Sequence, residues 1–213
     1  MESRTMLSRL APTATAMIRM DHSHVMVTFH KYTADASPEK KKAIVTMACL
    51  ALEIHAQIEE EIFYPALRAV QEGSAQDGNP VLEKSFPEHV EMRRLIASLR
   101  EMEPTDSGYD DTFNELMRDV MHHVADEETV LLPAAEHLLR DDLSELGARM
   151  TRRRLQLAAP HSGEIAINAA RTMSVSTMLL AGGVLAGVVM IARRAGNRSR
   201  YEAGRNQRLL RSS

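Results

Sequence analysis

Six residues of this chain stand out because polar side chains occupy positions where a helical repeat calls for apolar ones. His22, His55, Glu59, His89, His123 and Glu127 all fall on such stripes. A polar group buried without a partner costs roughly 2–7 kcal/mol, and an ion more. Six of them need a common partner, and a metal ion is the species that takes nitrogen and oxygen donors together. The spacing agrees. His55 and Glu59 are one helical turn apart, as are His123 and Glu127. Residues i and i+4 share a helix face, so each pair can reach one metal position. The agreement extends to a repeat: His55-x3-Glu59-Glu60-x4-Pro65 and His123-x3-Glu127-Glu128-x4-Pro133 are two copies of one pattern. One further histidine lies upstream of each copy at nearly the same distance, His22 before the first and His89 before the second. Two similar helix pairs, each giving His and then His-x3-Glu, predict half-sites that face each other, the arrangement of a dinuclear centre with bridging carboxylates. Imidazole with carboxylate suits iron, manganese or zinc better than calcium or magnesium, and six donors on two metals leave positions open for a small ligand.

The neighbours of these six are read more plainly. Asp21, Glu60 and Glu128 are either exposed or orient a ligand imidazole. His122 lies about 100° around the helix from His123, which makes His123 the better donor. Tyr64 reads as an ordinary packed aromatic, Cys49 as a small core residue, and Arg152, Arg153 and Arg154 as a solvated face.

Four amphipathic helices must carry the donors. Their stripes run from about Leu7 to Tyr32, from Ser37 to about Val70, from about Val81 to Met102, and from about Asp111 to Leu139. Ser37 is an N-cap with Pro38 at the first helical position. Gly73 to Pro80 is a loop. Pro87 predicts that regular helix in the third segment starts only there, and Pro65 and Pro133 predict kinks or ends. Short connections make this an all-α, antiparallel four-helix bundle over residues 7–147. A short Arg-rich fifth helix follows near Leu143 to Leu157, and residues 148–171 read as a helical or linker segment.

At these residues the sequence resembles the hemerythrin-like, or HHE cation-binding, domain family. Asp21-His22, His55-x3-Glu59-Glu60-x4-Pro65, His89 and His123-x3-Glu127-Glu128-x4-Pro133 carry the resemblance, over about Met17 to Gly147. It implies a non-haem di-iron centre in a four-helix bundle, with His22, His55, Glu59, His89, His123 and Glu127 as ligands and Glu59 and Glu127 bridging. Oxygen-carrying members have a fifth His one turn along the third helix and a His-x4-Asp on the fourth. Here Arg93 stands at the first place and His-x3-Glu at the second, which weighs against stable oxygen carriage. The ligand order is more similar to the repair-of-iron-centres proteins and the iron- or oxygen-sensing members. Three functions use the same donors: binding or sensing of O2 or NO, reduction of NO or peroxide or supply of iron for cluster repair, and iron storage.

Composition bounds the rest. A single cysteine excludes an intramolecular disulfide and a multi-Cys zinc site. No glycine-rich phosphate loop or serine-hydrolase elbow appears. The net charge of −3 hides an asymmetry: from His161 onward eight Arg face two Glu, a surplus of +6, which leaves −9 on everything before it. The stretch from Thr172 to Ala192 carries no charge and is followed directly by Arg193 and Arg194. As a helix it spans about 30 Å, so a single transmembrane helix over 172–192 is expected, with a basic tail at 193–213. Gly183-x3-Gly187 offers a face on which two such helices pair in a homodimer. The expected placement is a single-pass membrane protein with the metal domain in the cytoplasm. Beside an apolar span the tail's arginines suit lipid headgroups, and no nucleic-acid partner is expected.

Overall fold

Short polar side chains start the second and third helices of the bundle close to where the sequence places them, whereas the first starts at Ala14, and its expected start near Leu7 lies outside the described residues. The computed structural model describes residues 11–72 and 79–172. Thr13 caps α1 (Ala14–His30) by accepting from the Ala16 amide. Ser37 caps α2 (Pro38–Ile58) by accepting from the Lys40 amide, with Pro38 at its start. Asn79 caps α4 (Pro80–Glu101) through the Val81 amide at 2.9 Å. Pro87 therefore sits inside a regular helix that begins two turns before it, not at its start. Gly108, at φ +99°, turns the chain into α5 (Tyr109–Asp126), a conformation that a side chain would strain.

The second and fourth helices each contain a wide turn that periodicity does not reveal. Glu59–Phe63 and Glu127–Leu131 are π-helical, and the chain continues as α3 (Tyr64–Glu72) and α6 (Leu132–Leu138). The Tyr64 and Leu132 amides reach back across the wide turn to the Glu59 and Glu127 carbonyls. Pro65 and Pro133 follow directly. Proline has no N–H to give, and its ring conflicts with the carbonyl one turn back, so the chain widens by one residue ahead of it. The prolines thus neither end nor sharply break their helices. The extra residue also moves the core register: Leu131 and Leu132 are buried, whereas Val130, two α-helical turns after the buried His123, is 43% exposed.

Two apolar clusters show how the helices run. Ala14, Met17 and Ile18 from the start of α1 pack with Ile58, Phe63 and Leu67 from the end of the second helix, and Leu82 packs with Leu131. Val25 and Phe29 pack with Val45 and Ala48, and Ile96 and Leu99 with Phe113. Early residues meet late ones throughout, so the bundle is antiparallel, as expected. The six polar residues lie between the two clusters, as a layer across the middle of the bundle.

A fifth element belongs to this core. Leu146 and Met150 of α7 (Leu143–Ala158) join the first cluster. Gly147 lies against the start of α1, where a Cβ would collide with the Pro12 carbonyl and the Thr13–Ala14 backbone. The arginines of α7 are not simply a solvated face: Arg153 pairs with Glu61 and Arg154 with Asp21. A short 3-10 turn (Ala159–His161) leads to α8 (Ser162–Thr172), which packs on α2. The described residues lie in one compact unit ending at Thr172.

The expectation of a transmembrane helix is corrected. Among the described residues no helix is long and apolar enough to cross a membrane. The helix that reaches Thr172, α8, has 11 residues and carries Glu164 and Arg171, about half the length a bilayer core demands. Residues 173–192, with Gly183 and Gly187, and the basic tail lie outside the described residues. The fold is an all-helical bundle, and the single-pass membrane localisation falls with the span.

Candidate metal centre

The bundle brings all six expected donors together. His22 comes from α1, His55 from α2, His89 from α4 and His123 from α5, and all four are buried. Glu59 and Glu127 open the two π-turns and are fully buried. The donors form two groups whose ligand atoms lie within 4.8 Å of one another: His22, His55, Glu59 and Glu127 in one, Glu59, His89 and His123 in the other. Glu59 belongs to both. One oxygen of Glu59 lies 3.4 Å from His55 Nε2 and 3.5 Å from His89 Nε2. One oxygen of Glu127 lies 3.2 Å from His22 Nε2 and 3.6 Å from His123 Nε2. Each carboxylate therefore touches histidines of two different helices.

Each of the four donor histidines points Nε2 inward and Nδ1 outward to a carboxylate. His22 Nδ1 meets Glu128 at 2.8 Å, His55 Nδ1 meets Asp21 at 3.3 Å, His89 Nδ1 meets Glu60 at 2.9 Å and His123 Nδ1 meets Glu88 at 2.8 Å. The pattern follows the sequence repeat. The residue before each upstream histidine, Asp21 or Glu88, serves the H-x3-E histidine of its own half. The second Glu of each H-x3-E-E copy, Glu60 or Glu128, serves the upstream histidine of the other. Each outer carboxylate in turn carries a cation: Arg19 on Glu128, Arg93 on Glu60, Lys84 on Glu88 and Arg154 on Asp21. Such partners fix ring orientation and tautomer, with Nδ1–H donating outward and the Nε2 lone pair left facing in.

The interior is then rich in acceptors and short of donors. His22 Nε2, His55 Nε2, Glu59 Oε1 and Glu127 Oε2 are buried without a hydrogen bond. His22 Nε2 and Glu127 Oε2 are close but not aligned as donor and acceptor. His89 Nε2 and His123 Nε2 face each other at 3.2 Å, with room for one proton between two nitrogens. A single hydroxyl relieves this: Tyr64 Oη lies 3.0 Å from Glu59 and 2.8 Å from Glu127. The π-turn places Tyr64 there, because its i+5 spacing from Glu59 aligns the two side chains. The electrostatics show the same strain. Burial, reinforced by the charge of Glu127, pushes the Glu59 carboxyl well above the usual range. Burial alone would also raise Glu127, but contact with His22 and the nearby His123 and His55 hold it below the usual carboxylate range. Burial lowers His55 to about 4 and also lowers His89. Two carboxylates and four inward lone pairs without enough protons fit a pair of cations.

A cavity of about 180 Å³ opens on the side of the donor layer away from Tyr64, lined by His22, His55, His89 and His123 together with Val25, Leu52 and Met92. Its walls are mostly apolar, and His122 and Asp119 stand at its rim with Glu91. His122 itself is exposed, so His123 is the inward member of the pair.

Sequence reasoning missed three contributors. Glu88 was legible only by matching Glu88-His89 to Asp21-His22. Tyr64 is a shared donor to both interior carboxylates, not an ordinary packed aromatic, and the π-turn that aims it has no period of its own. Arg154 reaches Asp21 from the far end of the described chain, which no local pattern reports.

Comparison with known proteins agrees with this geometry. The sequence profile of the Hemerythrin HHE cation binding domain matches residues 13–135 and 86–160. A DNA nickase from Nostoc sp. is 30% identical over 130 residues, which are 61% of this chain but 35% of that protein's length. An uncharacterized protein of Mycobacterium tuberculosis is 28% identical over 126 residues, 58% of this chain and 73% of the relative. The crystal structure of a hemerythrin HHE cation binding domain-containing protein from Mycobacterium kansasii shares the fold, with a TM-score of 0.59 at 20% identity, covering 76% of this chain and 99% of that one. With the profile matched over more than half its length and the donor layer assembled at mid-bundle, the chain belongs to the hemerythrin HHE cation-binding domain family.

Proposed function

We propose that this protein holds two iron ions between His22, His55, Glu59, His89, His123 and Glu127, and that the centre binds or senses a small oxidant or gas such as O2 or NO. The observation that carries the reading is the set of four inward Nε2 lone pairs around two buried carboxylates, each ring fixed from outside by its own acid. Such a donor set suits iron. Bound there, iron supplies a redox-active Lewis acid with coordination positions left for a small molecule. The protein's own groups do the rest. Asp21, Glu60, Glu88 and Glu128 hold the rings, and Tyr64 Oη can hold a proton between Glu59 and Glu127. The apolar wall of Val25, Leu52 and Met92 admits a small uncharged molecule from one side and limits water.

Metal analysis with an optical spectrum before and after O2 and NO tests this. About two irons per chain, with a ligand-to-iron charge-transfer band that either gas alters, supports it. Zinc alone, or no metal, contradicts it. Steady consumption of NO or peroxide by the loaded protein would turn the binding module into an enzyme, and ferroxidation without a gas response would turn it into an iron store.

A further inference from the structure

The four outer carboxylates are alike in role but not in what holds them. Arg19, Lys84 and Arg93 lie on helices of the bundle itself, whereas Arg154 lies on α7, a helix added after the bundle closes. Arg154 reaches Asp21, Asp21 receives Nδ1 of His55, and His55 Nε2 is an interior donor atom left without a hydrogen bond. The helix is also docked through Leu146 and Met150, through the close approach of Gly147 to the start of α1, and through Arg153, which pairs with Glu61 on the outer side of the π-turn.

We propose that Arg154 is a positioning residue that couples metal loading to the docking of α7, so that the C-terminal helices report whether the centre is filled. A metal on His55 Nε2 fixes the ring. The fixed ring presents Nδ1–H to Asp21, and an oriented Asp21 fixes the guanidinium. Without the metal the ring loses its inner anchor, and the link to α7 slackens. Coupling of this kind is reciprocal: whatever loading contributes to docking, docking returns to metal affinity. The device rests on the metal reading above and adds to it a path out of the bundle.

Hydrogen exchange across residues 143–172 of the full chain, metal-free and loaded with ferrous iron under nitrogen, tests it. Loading should slow exchange in α7 about tenfold or more, as expected if a local opening is suppressed. Arg154→Gln should still take up iron but lose it to a chelator about 10–100-fold faster, the usual cost of removing such an outer partner. Its α7 exchange should no longer respond to iron. Arg154→Lys should restore part of the response. Arg93→Gln, the matching change within the bundle, should speed iron loss yet leave the α7 response intact. If Arg154→Gln does not fold, Asp21→Asn breaks the same link from the other side. Iron uptake by the wild-type chain with α7 exchange unchanged overturns the coupling alone, and so does a wild-type response that persists in Arg154→Gln or Asp21→Asn. Failure of the wild-type chain to bind iron overturns the metal reading instead.

Discussion

At the scale of single residues, the interior carboxylates set metal binding against stability. Glu59 has no full set of partners, and its carboxyl is raised by burial and by Glu127. The folded metal-free protein therefore binds a proton at Glu59 more tightly than the unfolded chain. Its stability contribution is full below the ordinary Glu range and falls as pH rises through the raised value. The Glu59 contribution to the metal-free protein should therefore fall as pH climbs above the ordinary Glu range, while His55, lowered by burial, acts in the opposite sense. The difference in thermal melting between wild type and Glu59→Gln at several pH values isolates the Glu59 part, which should vanish in the loaded protein. Glu59→Gln should abolish metal binding at one position or both. In the metal-free state it should raise stability by about 1–3 kcal/mol, the scale of one unsatisfied buried group. A lower melting point for metal-free Glu59→Gln would count against the reading. Tyr64→Phe keeps the ring, which lies 5.8 Å from His89 in a stacked pose, and removes only the shared proton. Iron content should hold while the optical spectrum shifts. His122→Ala should leave iron content unchanged where His123→Ala lowers it, since only His123 faces inward. The sequence made the six donors legible because an H-x3-E-E repeat on apolar stripes is a local signal. It left Glu88, Tyr64 and Arg154 unread because their roles depend on which helix faces which.

At the scale of elements, the π-turns and α7 do what an ideal helical period cannot. Each π-turn starts at an interior Glu and ends two residues before a proline, so the Glu carbonyl accepts from the amide of the residue that precedes that proline. An α-helical frame predicts Val130 inside; the turn exposes it and buries Leu131 instead. Helix existence and direction followed from periodicity, the Ser37 cap and the loop at Gly73 to Pro80, because these act on their immediate neighbours in sequence; the Asn79 cap and the left-handed Gly108 emerged only in the structure. So did the packing of α7, because it depends on a missing side chain at Gly147. Gly147→Ala should destabilise the protein by about 1–3 kcal/mol, the usual cost of overfilling a packed contact, read by urea denaturation. Gly163→Ala, near the start of α8, meets nothing within 4 Å and should be neutral or stabilising by about 0.4–1 kcal/mol. Equal effects at the two sites would mean that α7 does not dock closely against α1.

At the scale of the whole molecule, the chain is a layered bundle: two apolar clusters with a polar layer between them, closed on one side by the C-terminal helices. Cys49 reports on the integrity of this body. It is 2% exposed, and burial pushes its thiol up to about 12. A thiol reagent should therefore leave the folded protein unmodified near neutral pH and react only after opening. Iron loading should slow that reaction further, since a ligand bound only by the folded state stabilises it. The central claim is that the polar layer holds two metal ions shared by Glu59 and Glu127. Titration of the metal-free protein with ferrous iron under nitrogen, with bound metal counted, tests it most directly. Two equivalents should bind tightly to the wild-type chain, with binding weakened or lost in both Glu59→Gln and Glu127→Gln; binding of one ion or none, or two ions held equally well by both variants, would contradict it.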